Sequence, residues 1–263
     1  IGGAPVATLD FTALPDYSLS TTDAQGNVWR SYQYASRTTR RVVGGAAVGY
    51  ATVTGNVWGM PDSAALSITS AIDIQVRARG DAWTTGSGTL VGKYAGAGGR
   101  SYIFQQAGSN GISLTLSQDG SNQLQVLTGS SLSLVGIQNG QTIWLRATWR
   151  ASDGRVQFFF APDSATPPGS WTQIGTDKNI AYASLYDGTA PLEIGVSNIG
   201  LTSPFVSGDF RRGRIFNGIE GSGGTLAFDA DFTTLQDDTY AFRESSANNA
   251  VVYASSNGTQ DNP

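Results

Sequence analysis

The chain has 263 residues, a net charge of −4, 14% charged residues and 34 glycines, a composition that fits many short strands joined by turns. It contains no cysteine and no histidine, which excludes disulfides, thiol chemistry, Ser-His-Asp catalysis and metals held by His or thiolate. The acidic balance argues against nucleic acid as a partner, and no apolar run reaches the roughly 20 residues that span a bilayer.

Residues 1–60 read as an entry segment with candidate strands at VATLDFTAL, GNVWRSYQYAS and AVGYATVTGNVW, closed by Pro61-Asp62. Ile1 is not Met and no signal-peptide pattern follows it, so the chain is expected to be a processed product or part of a longer polypeptide. The next strand lies within Leu66 to Ala82, where Ile72, Ile74, Val76 and Ala78 alternate with Asp73, Gln75, Arg77 and Arg79. Further strands are expected at GTLVGKYAG, RSYIFQQ, ISLTLSQDG and NQLQVLTG, with Gly96–Gly99 and Gln118–Ser121 as hairpin turns.

The most regular stretch is Thr142 to Ala161, two strands around Asp153-Gly154. Ile143, Leu145, Ala147 and Trp149 form one face with Val156, Phe158 and Phe160, and the opposite face, with Trp144, Arg146, Thr148 and Arg150, is expected to meet solvent. On that reading Phe158→Ala is costly and Arg146→Ala far less so. SWTQIG, APLEIGVS and DFRRGRIFNGI complete the strand series. The exit segment 220–263 echoes the entry segment, DFTTL at Asp231 against DFTAL at Asp10, as matched strands would. The pattern predicts an all-β, antiparallel two-sheet jelly-roll sandwich over residues 1–263. Its core spans about 61–219, and both end segments pack on it, with Leu9–Phe11 near Phe228–Phe232.

Glycosidase chemistry needs two carboxylates about 5 to 9.5 Å apart. Glu occurs only at 193, 220 and 244, no E-x-D-x-E is present, and Asp229 with Asp231 is the nearest substitute, read as architectural. No enzymatic activity and no cofactor are expected. The candidate ligand-binding residues are aromatics beside loops, Trp83, Tyr94, Tyr102, Trp171 and Tyr186, with Arg100 next to Tyr94 and Tyr102. Aromatic faces stack on sugar rings while nearby polar groups bond the hydroxyls; the competing role for such rings is to cap the ends of the core.

From Pro61 to Ile219 the segments PDSAALSITSAIDIQVRA, LVGKYAGAGGRSYIFQQ, NGQTIWLRATWRASDGRVQFFFA, WTQIG, TAPLEIGV and GRIFNGI resemble, in order and spacing, laminin G-like, concanavalin A-like jelly-roll domains, especially those of bacteriophage tail and other virion proteins. Leu145 stands where the family often has His, and no Asp pair lines up for calcium, so no metal is expected. The resemblance implies a non-enzymatic virion component, displayed on tail or capsid, with structural and host-surface glycan-binding roles. Its partners would be other virion proteins and a host polysaccharide, without nucleic acid or membrane insertion, in a homo-oligomer. The alternative is a lectin-like or glycosidase module of a secreted bacterial protein.

Overall fold

A computed structural model describes residues 57–129, 131–196, 208–236, 239 and 241–255, together with four short strands before them at 20–22, 28–30, 41–43 and 46–48. The candidate strand at VATLDFTAL, and with it the placement of Leu9–Phe11, lies outside the described residues. The chain divides into two compact units, Ile1–Arg37 and Thr38–Pro263. In the first, β1 (Ser20–Thr22) pairs antiparallel with β2 (Val28–Arg30).

The second unit holds β3 (Arg41–Val43), β4 (Ala46–Val48), β5 (Val57–Met60), β6 (Ala71–Gly80), β7 (Ser87–Tyr94), β8 (Arg100–Ala107), β9 (Ile112–Leu116) and β10 (Leu124–Leu127). It continues with β11 (Thr142–Arg150), β12 (Arg155–Pro162), β13 (Thr172–Gln173), β14 (Lys178–Asn179), β15 (Leu192–Ile194), β16 (Gly208–Asn217), β17 (Thr225–Asp231), β18 (Ala241–Arg243) and β19 (Val251–Ser255). Sheet one runs in the order β10-β9-β8-β7-β15-β5-β19-β18. Sheet two runs β13-β12-β11-β6-β16-β4-β3, with β14 added to β12 and β17 to β16. Their ladders are antiparallel.

The period-two pattern set the pleat of sheet two. Ile72, Ile74, Val76, Leu145, Ala147, Trp149 and Phe158 are buried in one core with Trp58, Met60, Val91, Phe104, Leu114 and Leu192 of sheet one. The exit segment contributes to the same core through Phe228, Phe232 and Val252. Phe232 packs edge-on to Trp58 at 5.1 Å and to Phe210 at 5.9 Å, bridging the two sheets. The hairpin of β11 and β12 closes as its sequence requires, with Gly154 at φ 68 and the Asp153 Oδ1 accepting from the Arg155 amide.

The polar face of sheet two does not meet solvent as the alternation implied. Asp73 and Gln75 are fully buried, and Trp144 and Thr148 are buried beside them. The loop after β12 folds over this face, where Asp163 takes the Arg77 Nε–H at 2.7 Å and the Ser164 carbonyl takes the Trp144 indole N–H at 2.9 Å. The turn after β16 brings Glu220 onto Gln75 and Arg214. A charge inside such a cover must be paired. Asp73 accordingly accepts two hydrogen bonds from Arg146, at 2.9 and 2.6 Å, and Arg212 bonds Asp229 and Asp231.

Candidate functional site

At one end of the sandwich the β7–β8 loop, the β9–β10 turn and the segment 186–188 converge on Gly120. Gly120 has φ 80, as the turn demands, and its carbonyl accepts from the Gly98 amide at 2.8 Å and the Arg100 amide at 3.2 Å. The Tyr186 ring lies against it, since a Cβ on Gly120 would fall 2.7 Å from that ring, and the Tyr186 amide bonds the Ser117 carbonyl at 2.9 Å. Tyr94 and Arg100 are cross-strand partners flanking the loop, so the guanidinium stands 5.8 Å from the Tyr94 ring centroid. Arg100 also donates through Nη1 to the Ser121 carbonyl, which docks it on the turn.

Asp119 organises that turn. Its carboxylate accepts from the Ser121 amide, the Asn122 amide and the Asn122 side-chain amide at 2.7–2.8 Å. The Asn122 side chain, then the two amides, holds its pKa down at about 2. The carboxylate is thus a fixed negative charge next to the Arg100 guanidinium's anchor.

Beneath the rim lies an ion cluster that the sequence pattern did not reveal. Lys93 alternates onto the core-facing side of β7, opposite Tyr102 and Leu192, and is fully buried. Its ammonium pairs with Asp62 at 2.7 Å and Asp187 at 3.2 Å. Asp187 directly follows Tyr186 and Lys93 directly precedes Tyr94, so this pairing fixes the two rim tyrosines relative to each other. Burial, and then the charges of Asp62 and Asp187, push the Tyr102 hydroxyl far above its ordinary range. A buried lysine carries no periodicity signal; only the loops that deliver Asp62 and Asp187 make the position tolerable.

The structure therefore brings together Tyr94, Arg100 and Tyr186 and removes two residues from the predicted set. Trp83 is fully buried, donates its indole N–H to the Gln141 carbonyl at 2.7 Å and fills the space over Gly80. Tyr102 is fully buried under the rim. Neither ring has a face open to a ligand; both cap the core. Trp171 stands elsewhere, on the polar side of sheet two, edge-on to Trp144 at 6.5 Å with the Arg146 guanidinium 5.4 Å from its ring.

The carboxylates are committed to structure. Asp229 and Asp231 clamp Arg212, Glu220 pairs with Arg214, and Glu244 accepts from the Asp229, Ser246 and Ala250 amides. Among the described residues no group of three or more acidic, His or Cys side chains is placed to hold a metal ion, and no helix is long and apolar enough to cross a membrane.

The sequence matches no protein-family model and no curated protein. Solved structures with a related fold include a heptameric SAP-like pentraxin from Limulus polyphemus, at 13% identity and a TM-score of 0.44 over 70% of this chain and 79% of that one. Another is the CBM40 of the Ruminococcus gnavus IT-sialidase bound to α2,3 sialyllactose, at 9% identity and a TM-score of 0.43 over 63% of this chain and 89% of that one. A third is the receptor-binding domain of a botulinum neurotoxin C/D mosaic serotype, at 10% identity and a TM-score of 0.35 over 59% of this chain and 34% of that one. With its two antiparallel sheets around one core, the chain is an all-β jelly-roll sandwich.

Proposed function

We propose that the chain is a non-enzymatic module of a bacteriophage virion that binds a host-surface glycan at the Tyr94–Arg100–Tyr186 rim. The observation that carries the binding site is the stacking of Arg100 on the half-buried Tyr94, beside Tyr186 and the fixed Asp119 carboxylate. An aromatic face, a guanidinium and a carboxylate within one loop cluster supply the apolar stacking and hydroxyl bonding that a sugar ring requires. The non-enzymatic reading is supported by the commitment of Asp229, Asp231, Glu220 and Glu244 to internal partners. The virion placement is supported by the sequence resemblance from Pro61 to Ile219.

The test is binding of the purified chain to surface polysaccharide of the host. Tyr94→Ala and Arg100→Ala are each expected to weaken binding at least about tenfold, the loss of one stacking or charged contact, whereas Trp171→Ala leaves it within about twofold. Release of reducing sugar by the wild-type chain would overturn the non-enzymatic reading. Absence of the chain from purified particles would overturn the virion placement.

A further inference from the structure

Among the described residues β10 is one of the two edges of sheet one, and it lacks the charge, proline and bulge with which edge strands avoid pairing. No charged residue occurs between Asp119 and Arg146, and β10 itself, Leu-Gln-Val-Leu, has no proline. Its register against β9 runs without a bulge. Other edge strands are shorter: β13 and β14 have two residues, β3 and β18 have three, and β3, β14 and β18 carry Arg41, Lys178 and Arg243.

The backbone of β10 is directed for pairing. The Thr128 amide donates to the Ile112 carbonyl at 2.9 Å, so even-numbered residues here bond toward β9 and the alternation turns the N–H and C=O of Gln125 and Leu127 outward. The side chains are equally incomplete. Leu124 and Val126 lie opposite the core residues Leu116 and Leu114, hence on the core-facing side of the sheet, yet Leu124 is 48% exposed, and among the described residues no strand pairs with β10 on its far side. Five residues after the end of β10, the turn Leu132–Val135 begins, and it exposes Leu134 to 77%.

We infer that β10 is a docking edge for a second copy of this chain, joined antiparallel about a twofold axis through Gln125. A chain with net charge −4 associates with itself most readily through an uncharged surface, and this edge is one. The register follows from the outward groups. Gln125 faces Gln125 of the partner subunit as a hydrogen-bonded pair, and Leu127 exchanges bonds with the partner's Gln123. Leu124 then lies against the partner's Val126 on the core side, which covers the exposed leucine and extends the apolar face across the junction. A shift by one residue would set Gln125 against the core-facing Leu124 or Val126 of the partner, so the alternation rules out every odd shift.

The experiment uses the full chain, which has no native cysteine. Sedimentation up to about 100 μM, a range in which modest protein interfaces associate, is expected to give twice the monomer mass. Gln125→Cys is expected to form an intermolecular disulfide on mild oxidation, because hydrogen-bonded cross-strand pairs stand about 5.5 Å apart at Cα, within disulfide reach. Gln138→Cys, on an exposed loop outside β10, is expected to remain reduced. Leu124→Lys and Gln125→Pro are both expected to give monomers with unchanged circular dichroism, since Leu124 is already exposed and the Gln125 N–H faces outward. A wild-type chain that stays monomeric throughout, or a dimer that survives both variants and leaves Gln125→Cys uncrosslinked, would overturn the proposal.

Discussion

Arg146 shows how a single contact changes what a position is worth. By alternation it belongs to a solvent face, but it bonds Asp73 twice, and Asp73 is fully buried. Burial pushes the Asp73 carboxyl above its ordinary range, with the hydrogen bonds and charge of Arg146 opposing the shift. Removing Arg146 leaves a buried carboxylate without its counter-ion, so Arg146→Ala is expected to cost about 3 to 5 kcal/mol at pH 7, comparable to the about 3 to 5 kcal/mol for Phe158→Ala. The sign of the pH dependence separates them. A carboxyl whose folded pKa is raised favours folding most below its unfolded value of 3.8 and loses that contribution as pH rises through the folded value. The penalty of Arg146→Ala should therefore shrink between pH 7 and pH 4 in denaturant melts, while that of Phe158→Ala stays constant; equal penalties at both pH values would show that Asp73 does not need its partner. Asp119 has the opposite sign. Its pKa is lowered from 3.8 to about 2, so its contribution is present above pH 3.8 and disappears as pH falls toward 2. Asp119→Ala is expected to flatten the acid limb of the stability profile in that window, read by thermal melts at successive pH values.

At the scale of elements, the β11–β12 hairpin rests on one backbone conformation. Gly154 has φ 68, and a Cβ there would stand 2.7 Å from the Asn179 side-chain nitrogen and 2.9 Å from the Ile180 carbonyl oxygen. The Ile180 amide in turn bonds the Gly154 carbonyl at 2.8 Å, so the turn anchors the segment that begins with β14. Gly154→Ala combines about 1 to 2 kcal/mol for the left-handed backbone with the clash against β14, whereas Ser152→Ala, exposed in the same turn, should stay within about 0.5 kcal/mol. The measurement is the denaturation midpoint at constant slope. Equal midpoints for the two variants would mean that the turn relaxes without β14.

For the whole molecule, the exit segment decides what folds alone. β17 extends the ladder of β16, β19 pairs with β5, and Phe232 packs on Trp58, Phe210 and Phe242 between the sheets. A chain ending at Ile219 would lose Phe228, Phe232 and Val252 from the core and uncover both β5 and β16. Limited proteolysis is therefore expected to cut exposed loops without releasing a stable fragment 61–219, and that fragment expressed alone should show no cooperative melt. A soluble fragment with the parent's melting temperature would make the exit strands an appendage.

The sequence by itself determined the all-β class, the hairpin turns at Asp153-Gly154 and Gln118–Ser121, and which side chains of β6, β11 and β12 enter the core. Each of these depends on residues adjacent in the chain or two apart, where alternation and turn chemistry act. It also brought Tyr94 and Arg100 forward as a pair, because they flank one short hairpin loop. Only the tertiary structure decided that Trp83 and Tyr102 are core caps, that Tyr186 joins the rim, that Lys93 is buried between Asp62 and Asp187, and that the polar face of sheet two is a partly covered, ion-paired network. Those outcomes depend on loops arriving from distant parts of the chain, as when Glu220 reaches Gln75 or Asp163 reaches Arg77. Periodicity tells which face a side chain takes, but whether that face meets water is settled by what folds over it.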